Sequence, residues 1–266
     1  MFITNIFVMF FKRNLKLTLS LSIGTSVLFL WITYFFPNLD EVDALVFTKA
    51  WPPLAKSLFG DPLTGFSTLE GWLNLQIFHM TIWMISGGLI SLLSTEVITK
   101  EIETRKIDLI LSFSLKRSQL IVSRFLASLV LLLILQFFIL IGIYGGILLC
   151  NGKFRLVIIY AMIAGIPLYL TIGSITLLMG LFFRQIPTLV ICWTFFSISF
   201  AVEEVFSKIS PIFSKLSPLC LFHYYKSGDI LIRNIFSWAD IITLLVISMI
   251  VLIFSIFVFR EKDVLI

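Results

Sequence analysis

The chain has 266 residues, 59% of them hydrophobic and only 13% charged, with a mean hydropathy of +1.07. A soluble domain carries about 25% charged residues, so this chain has too little polar surface to cover an aqueous globule. That excludes a soluble enzyme, a disordered protein and a coiled coil, and leaves an integral membrane protein. The net charge of +5 would suit a nucleic-acid partner, but its placement along the chain argues for topology instead.

The first eleven residues are apolar and end in Lys12-Arg13. This is the reverse of a signal peptide's charge order, and no small-x-small cleavage site follows the first span, so nothing points to removal. Phe2, Ile3, Ile6, Phe7 and Phe10 recur at helical spacing beside Thr4 and Asn5. The pattern predicts an N-terminal interfacial helix that lies on the inner leaflet before the chain turns into the membrane. A frayed apolar start is the plainer alternative.

Crossing a hydrocarbon core of about 30 Å takes about 20 apolar residues. Six stretches meet that length without an Asp, Glu, Lys or Arg: 17–36, 71–93, 125–149, 156–183, 185–202 and 241–259. The fourth contains Pro167, which predicts a kink or tilt, and Pro187 suits the first turn of the fifth. Segments 37–70 and 203–240 carry turn residues and interrupted helical patterns, as short helices packed on the outer surface would. With no internal repeat and no linker to a soluble domain, residues 1–266 form one membrane domain, an all-α protein of six transmembrane helices.

Twelve of the twenty Lys and Arg residues fall on one side of this alternation: in 94–124, before the first span, after the last, and at Arg184. Cytoplasmic loops collect such charges. Both termini are therefore expected in the cytoplasm, in a multi-pass protein of the cytoplasmic (inner) membrane, with the positive charge set by topology and not by nucleic acid. Cys150, Cys192 and Cys220 make no C-x-x-C pair and no cluster with His79 and His223, so no metal site is expected; a Cys150–Cys220 disulfide is conceivable only if both lie outside.

Segment 94–124 is the largest cytoplasmic element, a loop that mixes both signs of charge with apolar residues. Ile98, Ile102, Leu109, Ile110 and Leu111 could form a helical stripe, with Glu101, Glu103, Lys106 and Asp108 beside it. A solvated connector and a helix that docks a cytoplasmic partner fit equally well. Here the chain resembles the permease subunits of ABC-2-type ATP-binding cassette transporters. That family's run of a glycine, an acidic pair, Gly-Thr-Leu and an apolar stretch ending in Pro-Val-Ser-Arg is matched loosely by Gly87-Gly88, Glu101 and Glu103, the run from Ile107 to Ser112, and Ser114 to Arg117. Arg105-Lys106 stands where the Gly-Thr would be, and Ser114 where the proline would be. Ser217-Pro218 and Phe222-His223-Tyr224-Tyr225 before the last span, and Arg260-Glu261-Lys262-Asp263 at the end, extend the resemblance along the chain.

The resemblance implies a cytoplasmic coupling helix over 100–112, between spans two and three, that seats in a groove of a separate ATPase subunit. Lys100, Glu101, Glu103, Arg105, Asp108 and Arg117 are then the coupling residues. No G-x-x-x-x-G-K-[ST] loop occurs in the chain, so ATP and Mg would be held by the partner and no cofactor by this chain. The implied unit pairs two permeases, a second copy or a homologue, with two ATPases in the lipid membrane, and it exports its substrate. The permease itself is not an enzyme.

Polar residues inside spans face the protein by default. His79 and Gln136 are accordingly candidates for a translocation path, with packing roles as the plainer reading, and Asn74 and Gln76 are closer to the outer end. Two rival functions belong to other classes. A secondary carrier or channel would ordinarily need an ionisable group at mid-membrane, which all six spans lack. An intramembrane protease is suggested only by a faint likeness of Glu203-Glu204…Lys208 to a Glu-Glu-x-x-x-Arg motif.

Overall fold

The computed structural model describes residues 2–36, 68–103, 117–207 and 211–261. All regular structure among them is helical, and six helical runs are long and apolar enough to cross a membrane. In chain order these are α1 (Phe2–Tyr34); α2 (Leu69–Leu73), a π-helical turn (Asn74–Phe78) and α3 (Thr81–Glu103) in one run; α4 (Arg117–Leu149); α5 (Val157–Gly180); α6 (Gln185–Ala201) with a π-helical turn (Val202–Phe206); and α9 (Trp238–Glu261). Between the last two lie α7 (Pro211–Leu216), two short 3₁₀ turns (Ser217–Leu219 and Leu221–Tyr224) and α8 (Ser227–Leu231). These are short helical elements, as the interrupted pattern of 203–240 predicts.

Two sequence expectations change. The turn between an interfacial helix and the first span is not there, because α1 runs unbroken through Lys12, Arg13 and Lys16. None of these residues breaks a helix, and the N-terminal stretch is held by packing. Phe10 is buried with Val97, Ile121, Phe125 and Phe259, and the Phe7 and Phe11 rings stack at 6.1 Å. Segment 94–124 is likewise not one loop. α3 continues to Glu103 and α4 already begins at Arg117, because Val97, Ile98, Leu120 and Ile121 are apolar, buried and still at helical spacing. The remainder of the expected coupling helix, including Arg105 and Asp108, lies outside the described residues.

Helix ends follow local chemistry. Thr68 caps α2, its hydroxyl accepting from the Gly71 N–H at 3.1 Å, as β-hydroxyl side chains do for orphan N–H groups. α4 stops in a Schellman arrangement: Gly152 N–H bonds the Ile147 carbonyl at 2.9 Å, Asn151 N–H bonds that of Leu148, and Asn151 takes φ 51°, a conformation Asn tolerates better than most residues. α5 remains one helix through Pro167. The Thr171 hydroxyl donates to the Pro167 carbonyl at 2.9 Å and lies 3.1 Å from that of Leu244, tying α5 to α9.

α1 and α4 are each 33 residues long and pack along their length. A Cβ on Gly142 would sit 2.3 Å from the Ser26 carbonyl oxygen, and one on Gly146 2.5 Å from Thr33 Cβ. Only glycine at these two positions, four residues apart, allows so close a helix crossing. α5 is central and touches α3, α9 and α6. The apolar core has two parts. One fills the middle and far end of the bundle, and the other sits at the near end, where α1 starts and α9 finishes.

Candidate functional site

Ionic contacts at the near end join helices that are distant in sequence. Glu96 on α3 takes Arg13 of α1 at 3.4 Å and Lys100 one turn further along its own helix. The Thr99 hydroxyl donates to the Gly180 carbonyl of α5 at 2.9 Å. Glu103, the last residue of α3, accepts from the backbone N–H of Gln185 at 2.8 Å. Gln185 opens α6, and the residue before it, Arg184, supplies no side-chain cap. A carboxylate here satisfies one of the orphan N–H groups and meets the positive end of the helix dipole. Glu103 of α3 is thus the N-terminal cap of α6.

Of the candidate coupling residues, four lie among the described residues. Lys100 is paired within α3, Glu103 caps α6, Glu101 lies between them on α3, and Arg117 opens α4. One residue counted among the loop charges proves to be interior. Arg124 is 1% exposed, with Nη1 2.7 Å from the Val97 carbonyl and its guanidinium 5.9 Å above the Phe10 ring. A buried guanidinium needs such partners.

At the far end the helix ends enclose a cup of about 490 Å³. Its lining includes the π turn that ends α6, bearing Glu203 and Glu204, and α8 with Asp229, followed by Arg233. Asn74 and His79 enter from the π turn of the second span, where His79 N–H bonds the Asn74 carbonyl at 2.8 Å. Such turns are rare, and frequent at functional sites; here two of them meet at one cavity.

Glu203, Glu204 and His79 line the cup, and each carboxylate meets an imidazole. Glu203 Oε1 is 3.1 Å from His223 Nδ1, and the Ser217 hydroxyl lies 2.7 Å from that same nitrogen and also bonds Glu203. Glu204 is 3.8 Å from His79 Nε2, and the His79 ring meets Phe200 edge-on at 5.5 Å. Asn74 accepts from the Ser227 hydroxyl at 2.7 Å, joining the second span to α8. Cys220 sits just behind, its thiol pushed up in pKa by burial, which a hydrogen bond with Ser199 partly offsets and the Glu203 charge slightly reinforces. Burial also raises the Tyr225 phenol, with a further contribution from Tyr169.

No family model matches the chain, and no curated protein or solved structure is similar to it. Function has to be read from the residues and their placement.

Serine, histidine and glutamate at one site invite comparison with a hydrolase. In a nucleophile–base–orienter relay the serine and the carboxylate bond opposite nitrogens of the imidazole. Here Ser217 and Glu203 both meet Nδ1, so the ring carries no proton from one to the other; the group is a hydrogen-bonded brace between the π turn and the 3₁₀ turns. Of the two path candidates, His79 lines the cup, whereas Gln136 lies inside the bundle and donates to the Ser86 hydroxyl at 2.9 Å, an α4–α3 tether. The three cysteines are free thiols, and no group of His, Cys, Asp and Glu among the described residues could hold a metal ion.

Ser217 and His223 were visible in the sequence only as parts of a loose motif. Nothing in it placed them against Glu203, because the contact depends on where the 3₁₀ turns fold back.

Proposed function

We propose that the chain is the permease subunit of an ATP-driven, ABC-2-type exporter, with the near end in the cytoplasm and the ATPase on a separate polypeptide. The observation that carries this reading is the bond from Glu103 to the first N–H of α6. Segment 104–116 connects α3 to α4 in the chain and follows directly on Glu103, the residue that caps α6. A partner that pulls on the segment pulls on α6, and α6 ends in the carboxylates of the cup. That provides a route for ATP-driven closure at one face to reach a cavity at the other, as a conformational switch needs. The near-end excess of Lys and Arg supports the orientation.

Purification of the tagged chain from its native membrane in mild detergent is expected to bring with it a soluble protein bearing a G-x-x-x-x-G-K-[ST] loop. Reversing two charges together, Glu101→Arg with Glu103→Arg, is expected to abolish stimulation of that ATPase while leaving membrane insertion intact. Recovery of the chain alone even after cross-linking, or normal coupled hydrolysis in the double variant, defeats the proposal. The secondary-carrier reading would then take its place.

A further inference from the structure

We infer that the Tyr225 side chain is a plug, which seals a polar cluster in the middle of the bundle from the cavities at the far end. Three spans build the cluster. Gln136 of α4 donates to the Ser86 hydroxyl of α3 at 2.9 Å, and the Tyr169 phenol of α5 stands within hydrogen-bonding reach of both. Ser86, Gln136 and Tyr169 are 0%, 6% and 1% exposed. Each sits near the midpoint of its span, where polar groups are costly and mark a path or a site by default.

The direction of Tyr169 sets what lies above the cluster. α5 begins at the far end, and side chains on a helix lean toward its N-terminus. The Tyr169 ring accordingly lies back over Gly165, one turn earlier, where a Cβ would stand 3.0 Å from the phenol oxygen. Ala164, next to Gly165, lines a second far-end cavity of about 260 Å³ together with Tyr225. Tyr225 also lines the cup, so it is a wall common to both cavities. It is 7% exposed and belongs to the same apolar core as Tyr169, and its phenol oxygen is closed off from solvent on the side where the Tyr169 phenol acts on it. Tyr225 thus stands between two open cavities and the innermost polar groups of the bundle.

Two further observations suit a movable plug. Tyr225 is carried by no span but by the short link between the 3₁₀ turn Leu221–Tyr224 and α8, so it can swing out while the spans stay packed. The Gln136 Oε1 and the Tyr225 hydroxyl have no hydrogen-bond partner among the described residues. Buried polar groups left so are costly, and the cost falls when the plug moves aside and water reaches the cluster. A sealed and an open state of similar free energy are what a two-state switch requires. The plug follows from the geometry of the bundle and stands whether or not an ATPase couples to the chain.

The test reads access to a single thiol. The full chain carrying Ser86→Cys, with Cys150, Cys192 and Cys220 changed to alanine, is held in lipid nanodiscs, which leave both faces open, and treated with a membrane-impermeant methanethiosulfonate. With Tyr225 in place the thiol is expected to react slowly. Tyr225→Ala should speed the reaction at least about tenfold, as an opening made about 1.4 kcal/mol easier would, and Tyr225→Phe, which keeps the ring, should not. Leu231→Ala controls for loosened packing: Leu231 is 1% exposed in the same core and lines neither cavity, and this variant should react as slowly as the parent. If Tyr225→Ala does not fold, Tyr225→Leu is read in its place, with the same gain expected. Unchanged access in the folded Tyr225→Ala or Tyr225→Leu chain, or an equal gain in Leu231→Ala, overturns the plug. Neither orientation nor ATP enters this measurement, so its failure leaves the transporter reading standing, and a chain that recovers no ATPase leaves the plug standing.

Discussion

Glu103 shows how one side chain can be both structural and strategic. Its carboxylate replaces a local cap for α6, a contribution of about 1 kcal/mol for a good N-terminal cap. Glu103→Ala should lower the chain's stability in detergent by about that much, and Glu103→Gln by less because an amide oxygen still accepts; equal stability in all three forms, measured by denaturant titration, would remove the cap. Arg124 is the opposite case, a charge with little exposure and a close carbonyl. Arg124→Ala removes its partners' contacts and opens a void, so it should destabilise by about 2–4 kcal/mol. Nothing in the sequence marks Arg124 as interior, since it stands at the edge of the charge-free run 125–149 as any flanking charge does. What places Arg124 inside is the Phe10 ring and the Val97 carbonyl brought from two other helices. Cys150 offers a pH-dependent reading at this scale. Burial raises its pKa, so less thiolate is present at a given pH than for a free cysteine. With Cys192 and Cys220 changed to alanine, its alkylation rate should rise at higher pH than that of a model thiol; coincident curves would contradict the burial.

At the scale of elements, charge-free windows locate the apolar part of each helix and not its ends. All six spans were legible this way, because no other arrangement hides so many consecutive apolar residues. The ends were not, since Lys, Arg and Glu are good helix formers and α1, α3 and α4 simply continue through them. The cup was less legible still: Glu203, His223 and Ser217 belong to three separate short elements, and their meeting follows from tertiary folding. The α1–α4 pair makes a sharp prediction. Gly146→Val places methyl groups where Thr33 and the Leu30 carbonyl already stand, and overpacking of this kind costs about 1–3 kcal/mol. The melting temperature in detergent should fall, whereas Gly24→Val, at a position with nothing within 4 Å, should leave it unchanged. The same loss at both sites would mean that valine lowers helix stability generally and that the close crossing is not the cause.

For the whole molecule, the arrangement joins one face to the other through α6, which is braced by Glu103 at one end and by the Glu203–Ser217–His223 contacts at the other. The orientation can be checked with the same single-cysteine variant: Cys150 lies at the far end, so a membrane-impermeant maleimide should label it in intact cells. Labelling only after the membrane is opened would invert the proposed topology.

The length of the bolted α1–α4 pair has a further consequence. Thirty-three residues of helix rise about 50 Å, against a hydrocarbon core of about 30 Å. The excess belongs to the near end, where Lys12, Arg13 and Lys16 are exposed, so the pair projects as a stiff post beyond the acyl chains or leans within them. Because the glycine crossing prevents the two helices from tilting independently, they respond to the lipid as one body. A thinner or thicker bilayer would then change the lean of the post, and with it the height at which segment 104–116 is presented.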